Sequence, residues 1–251
     1  MTIFFIIIVG LAFGSFFNVC IHRIPQNESI IFPASHCPFC QKKIKPYDNI
    51  PVVSYLLLKG KCRNCSNHIP VSYLIIELVT PLMFLLAYFK MGNQLSLLFF
   101  KYIIFISFSL VIFFTDLKQH IIPDKLSIPL IAIGLLFTFF PGSSIETQAI
   151  ILSLIIVFAL LFMLGLLCKL IKKENCMGGG DFKYILGITA FWGISHTFLI
   201  LFLASLLALF FLIIIRHDFQ KKFPFGPFLV IAAFITIFIG KDIFAWYLGI
   251  W

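Results

Sequence analysis

The sequence predicts an all-α polytopic membrane protein of about eight transmembrane helices, with a small cytoplasmic zinc-binding loop domain after the first of them. Three observations carry that expectation. Hydrophobic residues make up 61% of the 251 positions and charged residues only 12%, against roughly a quarter in soluble domains. The apolar residues fall in blocks close to the roughly 20 that a helix needs to cross a bilayer core. Four of the seven cysteines lie in the one long connection, as two Cys-x-x-Cys pairs.

The first block, 2–21, has no basic leader region and no small-residue cleavage site, so it reads as a retained span. Residues 22–71 form the loop domain, and 72–251 a multi-span membrane domain. Within that domain, spans are expected at 72–89, 96–115, 126–141 and 147–171. The run 184–215 is long enough for one tilted helix or two short ones. "WGISH" at 192–196 offers a turn, and charge favours it. A hairpin at 192–197 keeps Arg216, Lys221 and Lys222 on the cytoplasmic side. With the N-terminus outside, 16 of the 19 Lys and Arg then face the cytoplasm, and only Lys90, Lys101 and Lys241 lie outside. The last span is 225–250, which leaves both termini outside. The net charge of +9 follows from this topology and from attraction to an anionic lipid bilayer. It does not call for nucleic acid. Oligomeric state leaves no mark in the sequence.

The loop reads Cys37-Pro-Phe-Cys40 and Cys62-Arg-Asn-Cys65, with 21 residues between the pairs. Two thiolates at Cys-x-x-Cys spacing grip one face of a tetrahedral zinc ion, and a second pair closes the site. Lys42, Lys43, Lys61 and Arg63 would offset the charge of a zinc tetrathiolate. The competing readings are two disulfides, disfavoured in a reducing compartment, or four free thiols. His36 and His68 adjoin the pairs as substitute ligands, while Cys20, Cys168 and Cys176 read as small apolar fillers.

Two acidic residues sit at span ends where charge is costly. Asp116 closes the run "FISFSLVIFFTD", and Asp181 follows Gly178, Gly179 and Gly180. A carboxylate pair is what water-activated peptide hydrolysis needs. Close together, the two share one proton, so that one accepts a proton from water while the other polarises the carbonyl. Glycines beside Asp181 would let a substrate backbone approach closely. The alternative is helix capping at the interface, which suits Asp181 in a first turn. It does not suit Asp116 at a C-terminal end, where the helix dipole disfavours an anion. Asp124, in "IIPDKLS", reads as an ordinary N-cap. A proton-coupled transporter would also place acids and glycines in broken helices, but these acids lie at the cytoplasmic edge and no repeat relates the two halves.

Taken together, "TDLKQHIIPD" (115–124) and "MGGGDFK" (177–183) resemble the prepilin peptidases, aspartyl proteases of the GxGD type. "GSFFNVCIHRIP" (14–25), the cysteine block 37–65 and "FPFGPFL" (223–229) extend the resemblance, in order, over nearly the whole chain. That resemblance implies an enzyme of the bacterial cytoplasmic membrane that cuts the leader of type IV prepilins and pseudopilins at the cytoplasmic face. It implies Asp116 and Asp181 as the catalytic pair, with Asp124 outside it. Many members also methylate the new N-terminal amine with S-adenosylmethionine, which implies a methyl-donor site near Gly14, Asn18, Arg23 and Glu77. The chain departs from the family at "SYL" (72–74), where members commonly carry "RYP".

Overall fold

A computed structural model describes residues 1–140, 146–172, 178–215 and 224–248. Among them the regular structure is helical, apart from two isolated β-bridges in the cysteine loop. The long helices are α1 (Thr2–Arg23), α3 (Val71–Lys90), α4 (Leu97–Gln119), α5 (Asp124–Thr138), α6 (Thr147–Lys172), α7 (Gly179–Ile215) and α8 (Gly226–Leu248), and the loop carries a short α2 (Val53–Leu57). By length and composition, α1, α3, α4, α6 and α7 suffice for a membrane crossing. The chain divides into two compact units, Met1–Val111 and Ile112–Trp251.

In the first unit α1 packs along α3. Gly10 and Gly14, four residues apart on α1, make this possible. A Cβ at Gly10 would lie 2.5 Å from the Pro81 Cα, and one at Gly14 would lie 2.8 Å from the Glu77 Cα. Lipid supplies no hydrophobic drive between helices, so close backbone approach through small residues is what holds such a pair. Gly10→Val is expected to destabilise the unit by about 1–3 kcal/mol or more through overpacking, read as a lower thermal midpoint of the detergent-solubilised protein.

In the second unit α7 does not run straight. Gly193 has φ 74° and ψ −179°, a conformation outside the helix that glycine adopts without steric cost. The Thr197 hydroxyl donates to the Thr189 hydroxyl at 3.1 Å. Eight residues of straight helix would separate them by roughly 12 Å. Contacts with α8 give the direction of the second arm. Phe228 rings with Phe211 at 5.3 Å, while Leu199 lies beside Gly240. The second arm of α7 therefore runs antiparallel to α8, and the Gly193 conformation with the Thr189–Thr197 bond places a turn at "WGISH", where one is expected. The first arm, 179–192, is only roughly 21 Å long, short of a core of about 30 Å. Five helices among the described residues are long and apolar enough to cross, with α7 counted as one continuous helix.

Helix boundaries shift in two places that matter. Asp116 lies inside α4, which runs one turn further than the apolar block, ending where His120 takes a left-handed φ of 54°. Helix α7 begins at Gly179, so Asp181 occupies its first turn. The cap of α5 is Pro123 rather than Asp124. Cys20 is buried as a filler, but Cys168 is disulfide-bonded, which corrects the filler reading there. Cys176, Met177, Arg216, Lys221, Lys222 and Phe223 lie outside the described residues.

Candidate active site and metal centre

The two cysteine pairs fold as matching knuckles. The Cys37 amide donates to the Lys42 carbonyl and the Gln41 amide to the Cys37 carbonyl. Cys62, Asn67 and Ser66 repeat the pattern. Gln41 and Ser66 each take φ 57°, which turns the chain back at the same point of each knuckle. Bridges His36–Lys43 and Lys61–His68 close both loops. The result is convergence: the Sγ atoms of Cys37, Cys40, Cys62 and Cys65 all lie within 4.8 Å of one another.

Cys37 and Cys65 sulfurs are 3.8 Å apart, and a tetrahedron with Zn–S bonds of 2.3 Å has edges of about 3.8 Å. Amide groups of Cys65 and Asn64 pull the Cys62 thiol down to about 7, towards the thiolate a metal requires. The Asn67 amide favours thiolate at Cys65 too, but desolvation and the sulfurs of Cys62, Cys40 and Cys37 push that group up to about 11. Four thiols this close compete for negative charge until a cation replaces their protons. The donor set therefore fits zinc. His36 and His68 flank the cluster without joining it. Arg63 grips Asp48 at 2.6 Å and stacks on Tyr47, which ties the second knuckle to the 46–49 turn and holds the Asp48 carboxyl below its usual range.

Between this module and α1 and α3 lies a cavity of ≈ 360 Å³ lined by Asn18, Arg23, Tyr55, Tyr73 and Glu77 among others. Asn18 is buried. Its Nδ2 donates to the Tyr73 carbonyl at 3.2 Å, whereas its Oδ1 has no partner. Arg23, also buried, donates from Nη1 to the Ser29 carbonyl. Glu77 Oε2 accepts from the Val52 amide at 2.7 Å. A guanidinium, a carboxylate, an orphaned acceptor and two phenol rings fit a ligand that is zwitterionic with an aromatic part, as S-adenosylmethionine is. Gly14, by contrast, faces α3 and does not line the cavity.

The carboxylates lie in the second unit. Asp116 is 5% exposed, and its Oδ2 has no well-formed hydrogen bond although it faces Gly226 at the start of α8. Half-buried Asp181 is within electrostatic reach of Asp116. The loop between α4 and α5 joins their surroundings through Ile122. A Cβ at Gly180 would meet the Ile122 Cβ at 2.7 Å, and one at Gly226 would lie 3.1 Å from Ile122 Cδ1 and 2.5 Å from Asp116 Oδ2. The three glycines before Asp181 thus differ. Gly180 makes room for Ile122, Gly178 adjoins the Asp181 carboxylate, and only Gly179 borders open space. Lys183, two residues beyond Asp181, pairs with Asp124 at 2.6 Å and ties the first turn of α7 to that of α5.

Sequence reasoning placed Asp116 and Asp181 but not Gly226, Ile122 or Lys183. "FGP" at 225–227 did carry a signal, because Pro just inside a helix start is favoured. What it could not show is that this start abuts Asp116.

Helices long and apolar enough to cross a membrane, carrying two acids within electrostatic reach of each other and a four-cysteine module, define a multi-pass helical membrane protein. The family model described as the Bacterial Peptidase A24 N-terminal domain matches residues 8–91, and the Type IV leader peptidase family model matches residues 103–213. The chain belongs to the type IV leader peptidase family, and is a peptidase by that membership. It is similar to proteins named prepilin leader peptidase/N-methyltransferase from Dichelobacter nodosus (32% identical, over 97% of this chain and 93% of the relative) and Neisseria gonorrhoeae (34%, over 94% and 89%). The relative of that name from Legionella pneumophila is 31% identical over 99% of this chain and 96% of its own length. No solved structure matches.

Proposed function

We propose that this chain is an intramembrane aspartyl endopeptidase that removes the leader of type IV prepilins and pseudopilins and then N-methylates the new N-terminal residue. In this reading it crosses the bacterial cytoplasmic membrane eight times, with the zinc module and Asp116 and Asp181 on the cytoplasmic side. The observation that carries it is the pairing of buried Asp116 with Asp181 around Ile122 in a chain of this family.

The pair holds one proton between its two carboxyl groups. The ionised member takes a proton from water as the oxygen adds to the scissile carbonyl. The protonated member donates to the carbonyl oxygen, and a proton then passes to the departing amine as the C–N bond breaks. Products are the leader carboxylate and a free N-terminal amine. Gly179, bordering open space, leaves one side of Asp181 accessible to an extended backbone. Gly226, with no side chain, leaves the room that Asp116 Oδ2 occupies, since a Cβ there would lie 2.5 Å from it. Gly226→Ala is expected to displace that carboxylate and lower leader cleavage by about tenfold to a hundredfold, as a misplacement on the ångström scale does. Zinc content and methyl addition to an already processed pilin should be unchanged.

Zinc is structural in this account, since four thiolates leave no open position for water. The methyl group comes from S-adenosylmethionine, which when bound supplies it as an electrophile on a sulfonium. Arg23 would face the donor's carboxylate and Glu77 a cationic group, with Asn18 Oδ1 accepting a hydrogen bond. The test is mass spectrometry of a purified prepilin incubated with the purified enzyme, with and without S-adenosylmethionine. Leader loss in both, and an added methyl only with the donor, is the expected result. An intact prepilin under both conditions would refute the peptidase reading. A cleaved but unmethylated product would refute the second activity alone.

A further inference from the structure

The zinc module leaves a set of large apolar side chains uncovered. Ile31, Phe32, Leu56 and Leu57 are 72%, 76%, 63% and 77% exposed, and Ile50 and Val53 are about half exposed. A soluble module would rarely display such a patch without a partner.

The packing against α1 indicates what covers it. A second cavity, of ≈ 470 Å³, is walled on one side by Ala12, Ser15, Phe16 and Val19 of α1 and on the other by Ile30, Ile31 and Pro33 of the module, with Asn49 and Pro51. Those α1 residues precede its end at Arg23 by four to eleven positions, or roughly 6–16 Å of helix. The apolar stretch of α1 is only just long enough to cross a core of about 30 Å, so these residues are in its hydrocarbon-facing half near Arg23. Two bonds hold the module at that level. Arg23 Nη1 donates to the Ser29 carbonyl at 3.0 Å, and the Val52 amide donates to Glu77, which is six residues into α3. The segments at 30–33 and 50–57 are therefore folded back along the two membrane-crossing helices instead of standing clear of them. The rest of the module is basic. Lys42, Lys43, Lys45, Lys59, Lys61 and Arg63 face only Glu28 and Asp48 in residues 24–70.

We propose that this apolar edge is inserted into one leaflet of the bilayer, and that the basic remainder rests on its anionic headgroups. The occupant is the lipid surface. Buried apolar area and attraction to acidic lipid reinforce one another in such interfacial elements. Insertion at this depth makes the module a wedge beside α1. The choice of the anionic leaflet rests on the cytoplasmic orientation proposed above, but the depth does not.

The test uses the unmodified full chain in vesicles of phosphatidylcholine and phosphatidylglycerol doped with a phospholipid whose acyl chain carries a diazirine. After photolysis, peptide mass spectrometry locates the carbene adducts. Peptides covering 30–33 and 50–57 should carry adducts at about ten times the level of the knuckle peptide 62–67, because the reagent is confined to the hydrocarbon. Adducts confined to the long helices would overturn the proposal. So would protection of 30–33 and 50–57 by a second copy of the chain, seen as labelling that rises on dilution of protein into lipid. Vesicles of phosphatidylcholine alone form the second arm. Weaker labelling of the same peptides is expected there, and unchanged labelling would overturn the headgroup contact. Neither readout depends on leader cleavage, so it stands or falls apart from the peptidase reading.

Discussion

Asp116→Ala and Asp181→Ala are each expected to reduce leader cleavage by about 10²–10⁴-fold, the range that a positioned proton donor or acceptor contributes. The proton cannot be shuttled by one carboxyl group alone, so either loss disables the same step. Both side chains lie close to helix ends, and Asp116 Oδ2 makes no well-formed hydrogen bond that its removal would break. Zinc content and methyl addition to a processed pilin should therefore persist in both variants, which separates loss of chemistry from loss of fold. Asp124→Ala provides the contrast. Its partner Lys183 is partly exposed and the pair is solvated, so a surface bridge worth about 0–1 kcal/mol is removed and cleavage should change by less than tenfold.

Cys37→Ser and Cys62→Ser are expected to have the second large effect, on methyl transfer. Structural zinc sites contribute apparent binding free energies of about 10–16 kcal/mol, and the small knuckle loops have little core of their own to replace that. Cys37 and Cys62 both line the ≈ 360 Å³ cavity that Asn18, Arg23 and Glu77 share. Losing the metal should release one wall of it. Elemental analysis should give one zinc per chain in the wild type and none in either variant. Methyl addition should be abolished, and leader cleavage retained at a lower rate. A zinc-free variant with full methyl transfer would contradict the assignment of the cavity.

Much of this architecture was legible in the sequence because lipid imposes strong rules. Apolar length marked each long helix to within a few residues, and Gly193 lies in the "WGISH" segment where a turn was favoured over one tilted helix. The cysteine knuckles were legible because metal spacing is local. What was not legible concerns facing. In lipid, an inward and an outward Leu look alike, so nothing in α7 or α8 announced which side meets Asp116. The wedge of Ile122 between Gly180 and Gly226 depends on residues from three separate helix ends. The contact of Gly10 and Gly14 with Glu77 and Pro81 of α3 was not read from the sequence either, because it too depends on which faces of two helices meet. Asp181 lies in the first turn of α7, the position that the capping alternative gave it, although the apolar run alone would start that helix at 184.

The central claim is that Asp116 and Asp181 act as one unit, and a double-mutant cycle on leader cleavage measures this directly. Wild type, Asp116→Asn, Asp181→Asn and the double variant would be compared by overnight mass-spectrometric assay of one prepilin. Residues that share a single proton lose their function together, so the double variant should cleave no more slowly than the worse single variant. Losses that multiply, or a single variant that cleaves at the wild-type rate, would show that the two carboxylates do not form a catalytic pair.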